Sequence, residues 1–583
     1  DTEFGFEISP DGRFVAFSWN ISGQWEIYLL PLDHSAPPQC ITQEPGAKFA
    51  PYWSPDGTKI AYVLDLDGGE NYDIWLYHIS SGKHVNLTPD TSHAIQPEVS
   101  WSPDGQELVF ASDVGGKFEA YRLSLSDHAI KKLCELPFPV RNIKWSPSGK
   151  LIAVVTHATT QDYFTYLVSA ITGDFYPISI ENVPICAKDI AWSSSGEKLA
   201  FSSNRTSSYQ IGIFHVHDRS ITWISDNNNE NEHPAWSTDD SQIVYISQDG
   251  PDTELIVQAA ADKNKSKHFQ IEKGVHYLPA FTLDGKSILM AFDNPSHPAD
   301  LWLIPVSEGI PCQLTHSLPE EFDKSSFTLP EHIHYNSFDG TRVPAILYLP
   351  RNIHGPCPAV IYIHGGPNWL TQFTWDPLVQ HMVSRGWVVL APNYRGSTGY
   401  GKAWQTANIF ELGRIDTADV AAAVEYLISN HIAKPDRIAV TGRSHGGYLT
   451  MTCLTQYPEL WAGGSAVVPF LNWFTSHQNS RPDLQHWDRE NFGDPVKNKA
   501  LYYERSPYFF LDRIKAPVQL ICGANDPRCP ASESIQAQEA LQKLGKPCDL
   551  VLYPDEGHVF LKIENVVDAK RRQVDFLASL LDN

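Results

Sequence analysis

Residues 437–458, "RIAVTGRSHGGYLTMTCLTQYP", read as a short β-branched strand, a glycine-flanked turn and a helix. The spelling Gly442-x-Ser444-x-Gly446 sets a serine on that turn, where a sharp backbone bend lifts the hydroxyl above a sheet and small neighbours avoid clashes. Around it the grammar is that of alternating strands and helices. "PAVIYIHGGP", "GWVVLAPNYRGSTGYG", "PVQLICGANDPRCP" and "CDLVLYPDEGH" are apolar runs ending in polar, Gly-rich loops. "TADVAAAVEYLISN", "SIQAQEALQKLGK" and "AKRRQVDFLASLL" have helical periodicity. This pattern predicts a doubly wound, mostly parallel sheet over residues 330–583, with every quoted loop at the carboxyl edge where ligands bind.

The first half reads differently. A "W/F-S-P-D-G" turn recurs, ending at Gly12, Gly57, Gly105, Gly149, Gly196, Asp240 and Gly285, with spacings of 45, 48, 44, 47, 44 and 45 residues. Seven copies at that period predict a seven-bladed β-propeller of four-stranded blades over residues 1–315. Asp and Gly serve the turn: Gly permits positive φ and Asp caps it. The acidic stretch "DLDGGENYD", residues 65–73, is expected to be a solvated loop. "HSLPEEFDKSSFTLPEH", around residues 316–329, is polar and carries two prolines, as a linker does.

A formal charge of −24 argues against nucleic-acid binding, which wants a basic face. No apolar run approaches the ~20 residues of a membrane-spanning helix. Nine scattered cysteines without CxxC pairs read as reduced thiols in a cytoplasmic protein, with neither a disulfide frame nor a metal site. The chain opens without an initiator Met, which leaves a preceding segment open.

A serine hydroxyl needs a base to take its proton. In an α/β-hydrolase the order along the chain is Ser, acid, His. Asp526 after "LICGAN" and His558 in "DEGH" stand at successive strand ends in that order. His558 is the expected base and Asp526 the residue that fixes its tautomer and stabilises the imidazolium. His445 adjoins the nucleophile but does not share its face, so its expected contribution is a backbone N–H to an oxyanion hole. The second donor is expected from "HGGP", residues 364–367, at the Gly366 N–H, with His364 shaping the loop. Glu556 is expected to be a solvated charge, and Arg395, Asp416 and Asp419 to pair structurally. Arg528, two residues past Asp526, is either a cationic grip on substrate or an ion pair holding the loop; spacing leaves both open.

With "HGGP", "NYRGSTGYG", "GRSHGGY", "GANDPRCP" and "DEGH" in this order behind "SPDG" repeats, the whole chain resembles the prolyl oligopeptidase family of serine peptidases, closest to its acylaminoacyl-peptidase and aminopeptidase branch. The resemblance implies a propeller capping an α/β-hydrolase domain, an active site between them, and short peptides as substrates. It puts the triad on Ser444, Asp526 and His558, and gives Arg528 a substrate carbonyl to contact. His445 stands where the family usually has Tyr, and His364 where other branches place an oxyanion-hole Tyr. The family's P1 pocket draws on the segment "GGSAVVPFLNWFTSHQNS", which makes Phe470 and Trp473 candidates for an apolar wall, against the alternative of ordinary core aromatics. The expected protein is a cofactor-free exopeptidase releasing an N-terminal residue from short peptides through a Ser444 acyl-enzyme, with homo-oligomerisation left open. A carboxylesterase using the same triad is the second reading, and a propeller binding module with a dead hydrolase domain the third.

Overall fold

The computed structural model describes residues 5–89, 93–307, 309–351 and 355–582. Residues 1–4 and 583, at the outer bounds of the two expected domains, lie outside the described residues. From Phe6 to Gln313 the chain forms seven four-stranded antiparallel sheets, each built from consecutive strands, so the protein carries a seven-bladed β-propeller.

The repeated motif explains both the blade and its contact with the next. In the second copy the Ser54 hydroxyl donates to Asp56 at 2.6 Å and accepts from the Lys59 N–H at 2.9 Å. Gly57 takes φ +67° and donates its N–H to the Ser54 carbonyl. The tryptophan before the turn reaches backwards: indole N–H groups of Trp53, Trp101, Trp192 and Trp236 donate to carbonyls of Glu7, Tyr52, Lys144 and Ala191 in the preceding blade. Apolar clusters fill the space between blades, and ion pairs such as Lys48–Glu26 and Lys188–Glu232 also cross from one blade to the next. The ring closes the same way, with Val15, Phe17, Tyr28 and Leu30 of the first blade against Leu289, Ala291, Leu301 and Leu314 of the seventh. No strand is shared across that seam among the described residues, so closure rests on side-chain burial, at ~25 cal/mol per Å² of apolar surface. The Trp19 indole adds a bond to Ser317 at 2.9 Å, just past the last blade.

After a single 3-10 turn at Lys324–Ser326 the second domain begins. Its sheet has eight strands: β1 (Glu331–Asn336), β2 (Arg342–Tyr348), β3 (Cys357–Ile363), β4 (Val388–Pro392), β5 (Ala433–Arg443), β6 (Gly463–Val467), β7 (Val518–Gly523) and β8 (Cys548–Tyr553). The order is β1-β2-β4-β3-β5-β6-β7-β8, and every pair from β4 onward is parallel. The antiparallel pairings at the β1–β2 end were not read from the sequence, because "EHIHYN" has too few apolar residues to signal a strand. Helices cover both faces. On one, Val420, Val424 and Leu427 pack with Leu449 and Leu454; on the other, Leu378 and Met382 pack with Val574, Leu577 and Leu581. The loops after β3, β4, β5, β7 and β8 share the carboxyl edge, and that edge faces the propeller. Among the described residues no helix is long and apolar enough to cross a membrane.

Candidate active site

Ser444 directly follows β5 and precedes the helix His445–Gln456, at φ +59°, ψ −121°. A non-glycine residue held there costs ~1–3 kcal/mol and persists only where the surroundings over-determine it. They do so by close approach. A Cβ on Gly446 would stand 2.3 Å from the Ile363 carbonyl oxygen, and one on Gly442 would stand 2.5 Å from that of Gly446. The two glycines let the β5–helix turn press against the end of β3. Ser444 N–H then donates to Val467 O at 2.9 Å, and Tyr448 N–H to Ser444 O at 2.9 Å.

The loop after β7 carries Asp526. Its carboxylate accepts the backbone N–H groups of Arg528 and Cys529, both at 2.8 Å, which holds it at the sheet edge. It also lies 2.8 Å from His558 Nδ1, on the loop after β8. Both side chains are buried. Burial pulls the imidazole below its ordinary 6.5, against the opposing pull of Asp526, while Arg528 and Arg443 add to the lowering. The Cys529 thiol lies beside the Ser444 hydroxyl, and burial first and Asp526 next push that thiol well above the usual range. Arg443, the residue before Ser444, donates from its guanidinium to the His558 carbonyl oxygen. Ser444, Asp526 and His558 therefore gather at the ends of β5, β7 and β8.

His445 turns its ring into the core, where Nε2 lies within hydrogen-bonding distance of the buried Asp416 carboxylate, at 3.2 Å. Its imidazole is committed to Asp416, consistent with a backbone contribution only. In the loop after β3, Gly365 packs against Ser444, with an added Cβ 3.3 Å from that of the serine, and Gly366 follows at φ +120°. His364 lies 2.8 Å from the Ser397 hydroxyl and stacks on Tyr394 at 4.3 Å. Burial drives its pKa down to about 3, so it is a neutral, loop-shaping ring. Arg395 grips Asp419 through Nε and Nη2 at 2.9 and 2.6 Å.

Three placements were not legible beforehand. The stretch 65–73 is no solvated loop: it reaches from the second blade to the hydrolase loops. Asp67 O accepts from Asn525 Nδ2 at 2.8 Å, and Gly68 abuts Gly557 so closely that a Cβ on Gly68 would stand 2.6 Å from the Gly557 nitrogen. Glu70, 4% exposed, pairs with Arg528 at 2.7 Å and with Arg481 at 2.9 Å. Arg481 in turn holds Asp483 at 2.8 Å, and Arg141 of the propeller stands 3.5 Å from Asp483. Glu556 is buried too, accepting N–H groups of Leu561 and Lys562 and the Asn565 amide, so it caps its own loop. Trp473 lies in the core, stacked on Phe492 at 4.1 Å and edge-on to Phe470 at 4.8 Å. Phe470 stacks flat on Tyr448 at 4.6 Å. A contact between residues more than 400 positions apart leaves no periodicity to read; the only sequence trace of Glu70 was an acidic residue in a Gly-rich loop.

Glu70→Ala would leave the Arg481 guanidinium short of a partner in a buried setting. The expected loss of stability is about 2–4 kcal/mol, below the full range for an orphaned buried charge because Arg528 is partly open to water. Urea unfolding of the two proteins checks it; a difference under ~0.5 kcal/mol, the size of an ordinary surface change, would mean the loop contact contributes little.

Residues 372–583 match the model of the prolyl oligopeptidase family, and residues 6–174 that of the TolB β-propeller domain. Dipeptidyl aminopeptidase BIII of Pseudoxanthomonas mexicana is 26% identical over 96% of this chain and 84% of its own length. The acylamino-acid-releasing enzyme of Rattus norvegicus is 30% identical over 58% of this chain and 48% of its own. Among solved structures, a puromycin-hydrolyzing peptidase of Mycobacterium tuberculosis superposes with a TM-score of 0.86 at 20% identity, covering 99% of this chain and 94% of that one. These structural likenesses establish the two-domain fold. Residues 372–583 are thus a prolyl oligopeptidase family domain, and the domain makes the chain that carries it a serine peptidase.

Proposed function

We propose that the protein is an exopeptidase acting at the N-terminal end of short peptides, with Ser444 as nucleophile, His558 as general base and acid, and Asp526 as the residue that orients it. The buried Asp526–His558 pair at the strand ends beside the strained Ser444 turn carries this reading. His558 Nδ1–H donates to Asp526, which leaves Nε2 unprotonated to take the serine proton as Ser444 Oγ attacks the scissile carbonyl. The proton passes to the leaving amine. Water, deprotonated by the same nitrogen, then releases the acyl group from Ser444. Gly366 and His445 N–H groups are the proposed donors to the oxyanion. Phe470 is the proposed apolar wall beside the P1 side chain; Trp473, behind it, supports that ring from the core.

Chain-end selection is assigned to the Glu70–Arg528–Arg481 cluster. The propeller carboxylate next to the triad is already shared by two guanidinium groups, so an incoming ammonium would meet compensated charge with cations on both sides. That favours a blocked, uncharged N-terminus, whose acyl carbonyl Arg528 can receive. Dipeptidyl aminopeptidase and acylamino-acid-releasing relatives bracket the two choices. Hydrolysis of alanine and leucine p-nitroanilides with and without an N-acetyl group decides between them. The acetylated member is expected to be cleaved at least about tenfold faster, the equivalent of ~1.4 kcal/mol in the transition state. Preference for the free amine would reverse the assignment, and cleavage of p-nitrophenyl esters alone would replace the peptidase reading with an esterase.

A further inference from the structure

We propose that Arg443 is a positioning residue for hydrolysis: its guanidinium, one residue before Ser444, holds the His558 loop by its main-chain carbonyl and so keeps the imidazole in register with the serine. This rests on the reading of Ser444 and His558 given above. The problem it solves is topological. β5 and β8 are not neighbours in the sheet, since β6 and β7 lie between them, so no ladder of backbone bonds ties the nucleophile's strand to the base's loop. Asp526 restrains the His558 ring from the loop of β7, but it leaves the backbone beneath that ring to other contacts. On that loop Glu556 O accepts from Asn525 N–H at 2.9 Å, and Gly557 meets Gly68 of the propeller. Arg443 is the contact that comes from the nucleophile's own strand.

Arg443 is half-buried at the sheet edge, and burial together with the neighbouring Arg528 opposes its charge, while Asp526 supports it. A smaller residue at this position of the elbow would avoid both costs. Misplacing a reacting group by ~1 Å costs on the order of 10²-fold in rate.

The position also gives a signature that a merely structural residue would lack. The charged groups facing His558 are Asp526 on the loop of β7, Arg528 on the same loop, Arg443 from β5 and Glu70 from the propeller. Asp526 and Glu70 favour the imidazolium, and the two arginines oppose it. Removing the Arg443 charge therefore moves the acid limb of kcat/KM upward in pH.

The test compares wild type with Arg443→Met, Arg443→Lys and Arg443→Ala on whichever anilide wild type cleaves, alongside the rate of labelling by a fluorophosphonate. Arg443→Met is expected to lower kcat by roughly 10–100-fold with KM held within about threefold, to slow labelling in parallel and to raise the acid limb. Arg443→Lys, which keeps charge and donor, is expected to recover most of the rate and the wild-type limb. Guanidinium, added at concentrations far below denaturing ones, is expected to restore activity to Arg443→Ala; this arm carries the test if the Met variant does not fold. A folded Met variant within twofold of wild-type kcat, a loss confined to KM, or an Ala variant that guanidinium does not improve would overturn the proposal. Wild type that the fluorophosphonate does not label at Ser444 would remove the underlying triad reading as well, a separate result from a labelled enzyme indifferent to Arg443.

Discussion

Ser444→Ala is expected to lower kcat by roughly 10⁵–10⁶-fold while leaving the protein folded, because the proposed route passes through an oxygen that alanine lacks. The variant keeps the backbone of the turn, and with it the Ser444 N–H and carbonyl bonds to Val467 and Tyr448. Removing a hydroxyl from a residue held at φ +59° takes away no packed hydrocarbon, so a large change in stability is not expected. Turnover of the p-nitroanilide, fluorophosphonate labelling and urea unfolding, measured on one preparation, separate chemistry from folding. Retention of even a hundredth of wild-type kcat would place the nucleophile elsewhere and remove the acyl-enzyme from the proposed mechanism. The expected residual rate comes from the oxyanion donors and binding alone, which in other triad enzymes still exceed water by ~10³–10⁴.

Asp526→Asn is the second large effect, expected near 10⁴-fold in kcat with KM changed only a few-fold, and its cause is a tautomer rather than a lost contact. The asparagine carbonyl can still accept the Arg528 and Cys529 N–H groups that anchor the loop. Its amide then faces His558 Nδ1 as a donor, which places the imidazole proton on Nε2, where it cannot accept from Ser444. The pH profile gives an independent check. Protonating His558 would remove the proposed base, so wild-type activity is expected to be full above its pKa and to fall as pH drops through it. Burial, with help from Arg528 and Arg443, holds that pKa below 6.5. Asp526 is the group that pulls it up, so the Asn variant's residual activity should show an acid limb still lower in pH. An unchanged limb, or a loss carried by KM, would mean that Asp526 does not act through His558.

Much of this site could be read one residue at a time. The Ser444 turn, the loops of Asp526 and His558, and the commitment of His445 to something other than the serine all follow from strand–turn–helix grammar and chain order. The Arg395–Asp419 pair was legible as structural because Asp419 lies near a predicted helix start, where an acid is favoured and a loop arginine can meet it. The misreadings share one feature. By local pattern Glu70 and Glu556 read as solvated charges, yet each is buried against partners that such a pattern does not supply: two hydrolase arginines for Glu70, a folded-back loop for Glu556. Trp473 could be assigned to pocket or core only once Phe492 and Tyr502 were brought to it.

The sequence by itself determined the seven blades, the parallel sheet and the strand ends at which Ser444, Asp526 and His558 emerge. These are short-range consequences of side-chain alternation, turn residues and glycines that permit close approach, and each is written within a few tens of residues. The tertiary structure alone decided what surrounds Ser444, Asp526 and His558. Glu70 meets Arg528 across 458 residues of sequence, and Arg443 meets the His558 carbonyl across 115. Such pairings depend on how one domain is seated on the other and on how non-adjacent strands are spaced. A charge carries no local mark of the partner it will find, because Coulomb attraction acts on distance in space and is indifferent to order along the chain.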